Sequence, residues 1–346
     1  MAAQPAFAAE EDALAKAIAD RAASSGFSGT ILVARNGKPI YRGAFGQAEL
    51  AFGAPCAVDT RYRIASITKL FTATLILRLE AQGKLGLDRT IRTCLPRYAG
   101  EGADKVTIRQ LLNHTSGIAN FDSVTSYEAA IRDGIPSYQL PQSSDALLDK
   151  FASGKLVREP GKAFEYNNAD YIILGKIVEA LTGLDYDAAL RREITAPLGL
   201  AETGLLFQNR VMPRLASTYF KYGEQPLIND MPVYMENWYA AGGMYATVGD
   251  LLGFANALYG GKLIGQAQLD ALLTPGLDDY GFGLWIASLK VGEKRHRFAQ
   301  RPGSIMGANA TLLHFPDDAL TVVILANTNK ADIDAFGFHI GRTALG

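Results

Sequence analysis

The chain places its most strand-like stretches at its two ends. "GTILVARNGKPIYRGAFGQA" (residues 29–48) reads as two strands broken at Asn36-Gly37, a dipeptide that suits the positive φ angles of a tight hairpin turn. Toward the other end, "YGFGLWIASL", "HRFAQ", "ANATLLHF" and "LTVVILAN" are short apolar, β-rich runs. The stretch from about residue 88 to 204 is mostly helical. It holds "TIRQLLNHTSG", "SSDALLDKFASG", "NADYIILGKIVEALTG" and "DYDAALRREITAPLG", each closed by Gly or Pro-Leu-Gly. "TVGDLLGFANALYGG", "GQAQLDALL" and the terminal "ADIDAFGFHIGRTAL" add further helices. Strands at both ends with helices between them predict an α+β fold, one antiparallel sheet built from both chain ends with helices against it. The expected organisation is a sheet subdomain over residues 10–87 and 205–346, a helical subdomain inserted at 88–204, and a tail at 1–9.

One predicted helix is odd. Residues 66–82, stopped by Gly83, set Ser66 and Lys69 three apart in the greasy run "IASITKLFTATL". Lysine is among the side chains least often fully buried. Positions i and i+3 share a helix face, so the amine reaches the hydroxyl. Burial disfavours the charged amine and equips it to take the serine proton. The plainer reading is an N-cap serine beside a snorkelling lysine. A second segment, "FEYNNADYIILG", supplies Tyr166 and Asn168. A tyrosine beside a proton-poor lysine shares proton transfer, and an asparagine holds the lysine and a substrate amide.

S-x-x-K followed about a hundred residues later by Y-x-N resembles the penicillin-recognising serine hydrolases. The branch it looks like holds the class C β-lactamases, D-alanyl-D-alanine carboxypeptidases and related esterases. The surroundings agree: "LLNHTSGI" is similar to the family's LLxHTSGL, and "YNNADYIILGKIVEALTG" to its YSNxGYxLLGxIIExxTG. "PLGLAETG" and "AAGGMYATVGDLLGFANAL" match its PLGMxxT and SGGLxSTxxDLxxF stretches. The likeness runs in order from about residue 28 to 327. It implies the β-lactamase/transpeptidase-like fold and an acyl-enzyme. Ser66 would be the nucleophile, Lys69 its activator, Tyr166 the proton relay to the leaving group, and Asn168 the residue that orients Lys69 and substrate.

The family's third motif, usually K-T-G or H-x-G on a sheet-edge strand, departs here to Arg301-Pro302-Gly303. Gly303 allows a backbone to come close to substrate. Ser304 is the expected second oxyanion donor beside the backbone N–H of Ser66. Arg301 keeps a positive charge but does not deprotonate, so it is expected to grip a substrate carboxylate. A surface cation in a decayed motif is the alternative. Pro302 lacks an N–H and suits an edge. In the family the HTSG segment is a structural turn, which makes His114 a scaffold residue. Trp238 and Tyr239 belong either to the core or to the cleft wall.

Other chemistries lack support. His296, His314 and His339 have no ligand spacing, so neither metal nor cofactor is expected. G-x-S-x-G, G-x-x-x-x-G-K-[ST] and G-x-G-x-x-G do not occur. A net charge of −1 gives no electrostatic case for nucleic acid, and no apolar run reaches the roughly 18 residues of a membrane helix. The two cysteines, Cys56 and Cys94, are either bridged or free buried thiols. Ala6-Phe7-Ala8 before an acidic stretch reads as the trimmed end of an export signal, predicting a periplasmic or secreted bacterial protein; a disordered Ala-rich tail is the alternative. The expected partner is a small-molecule or peptide substrate, with oligomeric state left open. The first reading is a carboxypeptidase-like hydrolase of D-amino-acid peptides. A carboxylesterase, a β-lactamase and a non-catalytic binding module follow.

Overall fold

A computed structural model of the chain describes residues 4–122 and 127–346. Helix α1 (Gln4–Ser25) leads into the hairpin β1 (Gly29–Arg35) and β2 (Lys38–Phe45). Asn36 and Gly37 between them take φ of 52° and 72°, the conformation that the dipeptide predicts. Helix α2 (Thr68–Ala81), helix α3 (Asn168–Thr182) and helix α4 (Val248–Tyr259) follow, then strands β3 (Trp285–Val291), β4 (Lys294–Ile305), β5 (Ala308–Phe315) and β6 (Leu320–Ala326), and the terminal helix α5 (Ile333–Leu345). The tail expected over residues 1–9 lies outside the described residues at 1–3, and from Gln4 its backbone belongs to α1.

The six strands form one antiparallel sheet in the order β3-β4-β5-β6-β1-β2. The chain ends meet at its centre, where Gly29 pairs with Ala326 and Arg35 with Leu320. Both faces of these central strands are covered. Leu320, Val322 and Ile324 pack with Leu14, Ile18, Phe336 and Ile340 of α1 and α5. Val323 and Leu325 join Leu32, Phe71 and Phe254 on the other face. Every residue of β6 is therefore buried, which explains a continuous "LTVVILA" where a half-exposed strand would alternate. On the second face Phe71 of α2 stacks on Phe254 of α4, ring centroids 3.7 Å apart. The site grows out of that packed face.

Residues 88–204 carry α3 and several shorter helices, including Ile108–Leu112 and Ser144–Phe151. Helix α3 is capped by Asn167, whose side chain accepts from the Ala169 N–H, and ends at Gly183 with φ of 69°. A small three-stranded sheet pairs Tyr62–Arg63 with Met244–Ala246, and the latter with Gly204–Leu205. It fastens the chain entering α2 to the segment that follows Gly242. Cys56 and Cys94 are free, buried thiols. Among the described residues, no helix is long and apolar enough to cross a membrane.

Candidate active site

Ser66 stands in a short turn of 3-10 helix, Ala65–Ile67, and α2 begins at Thr68. The helix expected over 66–82 therefore has a tighter first turn. Ala65 has a positive φ of 46°, costly for a residue with a Cβ. Two bonds hold the turn in place: Ile64 N–H donates to Met244 O (3.0 Å), and Met244 N–H to Thr68 Oγ1 (3.2 Å). The serine is thus set at the mouth of an otherwise buried helix.

Lys69 is completely buried. Its Nζ lies 3.1 Å from Ser66 Oγ, 2.6 Å from Asn168 Oδ1 and 2.8 Å from the Ala241 carbonyl oxygen. Burial, with help from the nearby Arg301 cation, lowers its pKa to about 8 although Tyr166 and Asp122 pull the other way. Tyr166 Oη donates to Ser66 Oγ across 2.7 Å. Burial would raise this phenol, but the Arg301 and Lys69 cations outweigh it and bring it down to about 8. Ser66 Oγ therefore sits between two groups that hold their protons loosely near neutrality. This is the arrangement a serine nucleophile needs.

Arg301 takes a different place from the one expected of a carboxylate clamp. It is 1% exposed, and each of its three nitrogens donates inward. Nε reaches Ser66 O (2.7 Å), Nη1 reaches Tyr280 Oη (2.8 Å) and Nη2 reaches Tyr166 Oη (2.5 Å). The guanidinium carbon lies 5.3 Å from the Tyr166 ring centroid and 5.4 Å from that of Trp285, in range for cation–π attraction. The physical reason is local: the phenols and rings satisfy a planar, forked cation that burial would otherwise destabilise. A surface cation is equally excluded.

Gly303 has a specific reason to be glycine. A Cβ there would stand 2.4 Å from Ile64 O and 3.0 Å from the Ser66 backbone nitrogen. Strand β4 thus runs against the nucleophile turn with no room for a side chain. The last β3–β4 pair is Trp285 with Gln300, so residues 301–305 form an open edge that suits Pro302. Ser304 is exposed on this edge and pairs with Asn309 of β5 on the other side.

Several residues of the site were missed in the sequence. Asp122 accepts hydrogen bonds from Asn168 Nδ2 and Tyr138 Oη. Tyr280 and Trp285 sat inside a stretch read only as strand. Ala241 contributes a carbonyl, for which a sequence holds no signal. Trp238 and Tyr239 prove to be buried: Trp238 stacks on Tyr138 at 3.8 Å, and Tyr239 Oη donates to Glu179 Oε1 (2.6 Å). His114 is buried with a φ of 57°. Its Nδ1 lies 3.0 Å from Asp170 Oδ2 and 3.3 Å from the donating Asn167 N–H, and its carbonyl accepts from Glu165 N–H (2.9 Å). Two bonds thus hold the segment that carries Tyr166. Among the described residues, no group of three or more His, Cys, Asp or Glu is placed to hold a metal ion.

Comparison with known proteins gives the family. The family model described as Beta-lactamase matches residues 14–339. Penicillin-binding protein 4* of Bacillus subtilis (strain 168) is 28% identical over 327 residues, covering 88% of this chain and 69% of that protein. Esterase EstB of Burkholderia gladioli is 36% identical over 183 residues, 51% of this chain and 46% of the esterase. The chain thus spans from about half to about two thirds of these curated relatives' lengths. Among solved structures, a D-stereospecific amidohydrolase from Streptomyces sp. superimposes with a TM-score of 0.78 at 27% identity, covering 96% of this chain and 97% of that one. With its serine, lysine and tyrosine converged on one hydroxyl, the chain belongs to the Beta-lactamase family, a family of serine hydrolases.

Proposed function

We propose that the chain cleaves uncharged esters or amides through an acyl-enzyme on Ser66, with no requirement for a substrate carboxylate. The observation that carries the chemistry is Ser66 Oγ held 3.1 Å from Lys69 Nζ and 2.7 Å from Tyr166 Oη. The Ser66 proton passes to the Lys69–Tyr166 pair as Oγ bonds to the substrate carbonyl carbon. The resulting oxyanion is held by the backbone N–H groups of Ser66 and Ser304, each such donor contributing about 2.7 to 4 kcal/mol to the transition state. Tyr166 returns the proton to the leaving alcohol or amine as its bond to carbon breaks. Water then attacks the acyl carbon and gives a proton to the same pair, which passes it to Ser66 Oγ as the acyl–oxygen bond breaks and the acid product leaves.

The inward-turned Arg301 supports the uncharged substrate. A cation committed to two phenols and a carbonyl would have to break those bonds to meet a carboxylate. This favours an esterase or amidase over a carboxypeptidase or β-lactamase, whose substrates carry a free carboxylate. The likeness to EstB and to the Streptomyces amidohydrolase points the same way. D-amino-acid peptide cleavage is the second reading, favoured by the longer match to penicillin-binding protein 4*. A binding module without chemistry is disfavoured because a buried lysine aimed at a serine has no use in it.

The test is intact mass and turnover with an activated ester, a D-amino-acid amide and a β-lactam, with Ser66→Ala as control. Ester or amide turnover that Ser66→Ala abolishes, with no β-lactam adduct, is the expected result. A long-lived β-lactam adduct on Ser66 would restore the peptidase reading. No turnover and no adduct with any substrate would overturn the acyl-enzyme.

A further inference from the structure

The lysine amine meets Asn168, Ala241, Ser66 and the Tyr166 hydroxyl, and the first two present atoms that can only accept. Asn168 Oδ1 and Ala241 O each take a hydrogen from Lys69 Nζ, at 2.6 and 2.8 Å. A neutral amine has two hydrogens and one lone pair. With both hydrogens committed, the lone pair is left for the side where Ser66 Oγ and the Tyr166 hydroxyl meet. The direction of the base thus depends on Asn168 presenting its oxygen. A flipped amide would aim an N–H at Lys69 and compete for that lone pair.

Asp122 decides which end of the amide faces the lysine. Its Oδ2 accepts from Asn168 Nδ2, and its Oδ1 accepts from Tyr138 Oη. A carboxylate oxygen in that position accepts from the amide nitrogen and repels the amide oxygen, so Oδ1 of Asn168 is turned to Lys69. Asp122 is in turn fixed at both ends. Its backbone N–H donates to Asn120 Oδ1 (3.0 Å). Tyr138 is clamped by the parallel stack on Trp238, at 3.8 Å and 5°.

We propose that Asp122 is a positioning residue: by holding the amide of Asn168, it aims the lone pair of Lys69 at Ser66. The role rests on the acyl-enzyme reading above and adds to it a residue that touches neither substrate nor nucleophile. The charge of Asp122 pulls Lys69 upward, against its use as a base; the catalytic contribution is orientation. An asparagine at 122 would do the same with its own carbonyl oxygen toward Asn168 and its NH2 toward the Tyr138 hydroxyl.

The experiment measures kcat and KM for an activated ester in the wild type, Asp122→Ala and Asp122→Asn. The rate of Ser66 labelling by a fluorophosphonate, read by intact mass, accompanies them. Asp122→Ala is expected to lose about 10- to 100-fold in kcat and in labelling rate, as a small misplacement of a reacting group does, with KM held within about twofold. Asp122→Asn is expected to recover to within about threefold of wild type. Tyr138→Phe keeps the stack on Trp238 but frees one carboxylate oxygen. It provides a milder variant should Asp122→Ala fail to fold, with a loss of about threefold to tenfold in kcat. Unchanged kcat in Asp122→Ala, or in Tyr138→Phe where only that variant folds, overturns the proposal. Equal losses in Asp122→Ala and Asp122→Asn overturn it too, because charge would then be the operative property. A wild type that neither turns over ester nor labels at Ser66 overturns the acyl-enzyme reading itself, which separates that failure from one confined to Asp122.

Discussion

Two cations face each other across Ser66, each buried and each on its own wall. Lys69 stands on α2 among acceptors that leave one direction open, toward the serine. Arg301 stands on β4 with its nitrogens directed at Tyr166, Tyr280 and the Ser66 carbonyl, and aromatic rings on its faces. Burial lowers the lysine to about 8. Burial also works against the arginine's charge, but the Tyr166 and Tyr280 phenols outweigh it and Arg301 stays protonated. One wall therefore holds a charge that can be given up, and the other holds a charge that cannot. The first suits a base; the second suits a fixed field that steadies a phenolate.

The largest effect should come from making the two walls alike. Lys69→Arg keeps a cation on α2 but removes the group that takes a proton. We expect kcat/KM for an activated ester to fall about 100- to 10,000-fold, the range for loss of a general base, with Ser66 labelling falling in step. Near-normal activity would assign all of the proton transfer to Tyr166.

Removing the fixed charge should cost less and move the pH profile. In Arg301→Gln the phenolate loses a charge-assisted hydrogen bond of about 1.5 to 3 kcal/mol, or about 10- to 150-fold in rate at pH 7. Arg301 lowers both Tyr166 and Lys69, so its removal raises both. The deprotonated pair is the active form, and the rising limb of kcat/KM should move to higher pH. A profile recorded from pH 5 to 10 reads this directly. A KM increase limited to carboxylated substrates, with the limb unmoved, would instead make Arg301 a clamp.

A smaller effect is expected from parting the walls. Gly303→Ala pushes a methyl group against Ile64 O and Ser66 N. Overpacking of this kind costs about 1 to 3 kcal/mol. Thermal unfolding should show that loss, and kcat should drop because strand and nucleophile turn can no longer touch.

The same two walls show what was readable beforehand. The α2 wall was legible because Ser66 and Lys69 are local: one turn of helix fixes their relation whatever surrounds them. The central strands were legible for a similar reason, since Asn36-Gly37 fixes the hairpin and the unbroken apolar run of β6 records burial on both faces. Tyr166 and Asn168 were weak candidates from their chemistry, and it took the resemblance to join them to Ser66 and Lys69, because no spacing rule joins residues a hundred positions apart. The surroundings of Arg301 were not legible. Whether an arginine faces solvent or protein depends on what stands opposite: the β3–β4 pairing brings Trp285 there, and a bridge to Trp285 brings Tyr280. Asp122 was invisible because its partners, Asn168 and Tyr138, come to it only through the fold.

The smallest predicted effect concerns the floor beneath both walls, where a third charge would be costly. The Asn167 N–H donates to His114 Nδ1, so that nitrogen presents a lone pair. With a neutral acid, the single lone pair is shared between that N–H and the proton of Asp170 Oδ2, 3.0 Å away. Burial raises Asp170 well above the usual carboxylate range, and burial together with Lys69 and Arg301 holds His114 far below its own. Both directions describe a neutral acid on a neutral imidazole. Asp170→Asn replaces an O–H donor by an N–H donor of similar shape and should shift Tm by no more than about 2 °C. If the pair were ionic, the same change would strand a buried imidazolium at a cost of about 3 to 5 kcal/mol, roughly 4 to 7 °C for a chain of this size. The gap between those outcomes is wide enough for one thermal melt to decide. A small shift would mean that the site keeps its two cations effective by admitting no third charge below them.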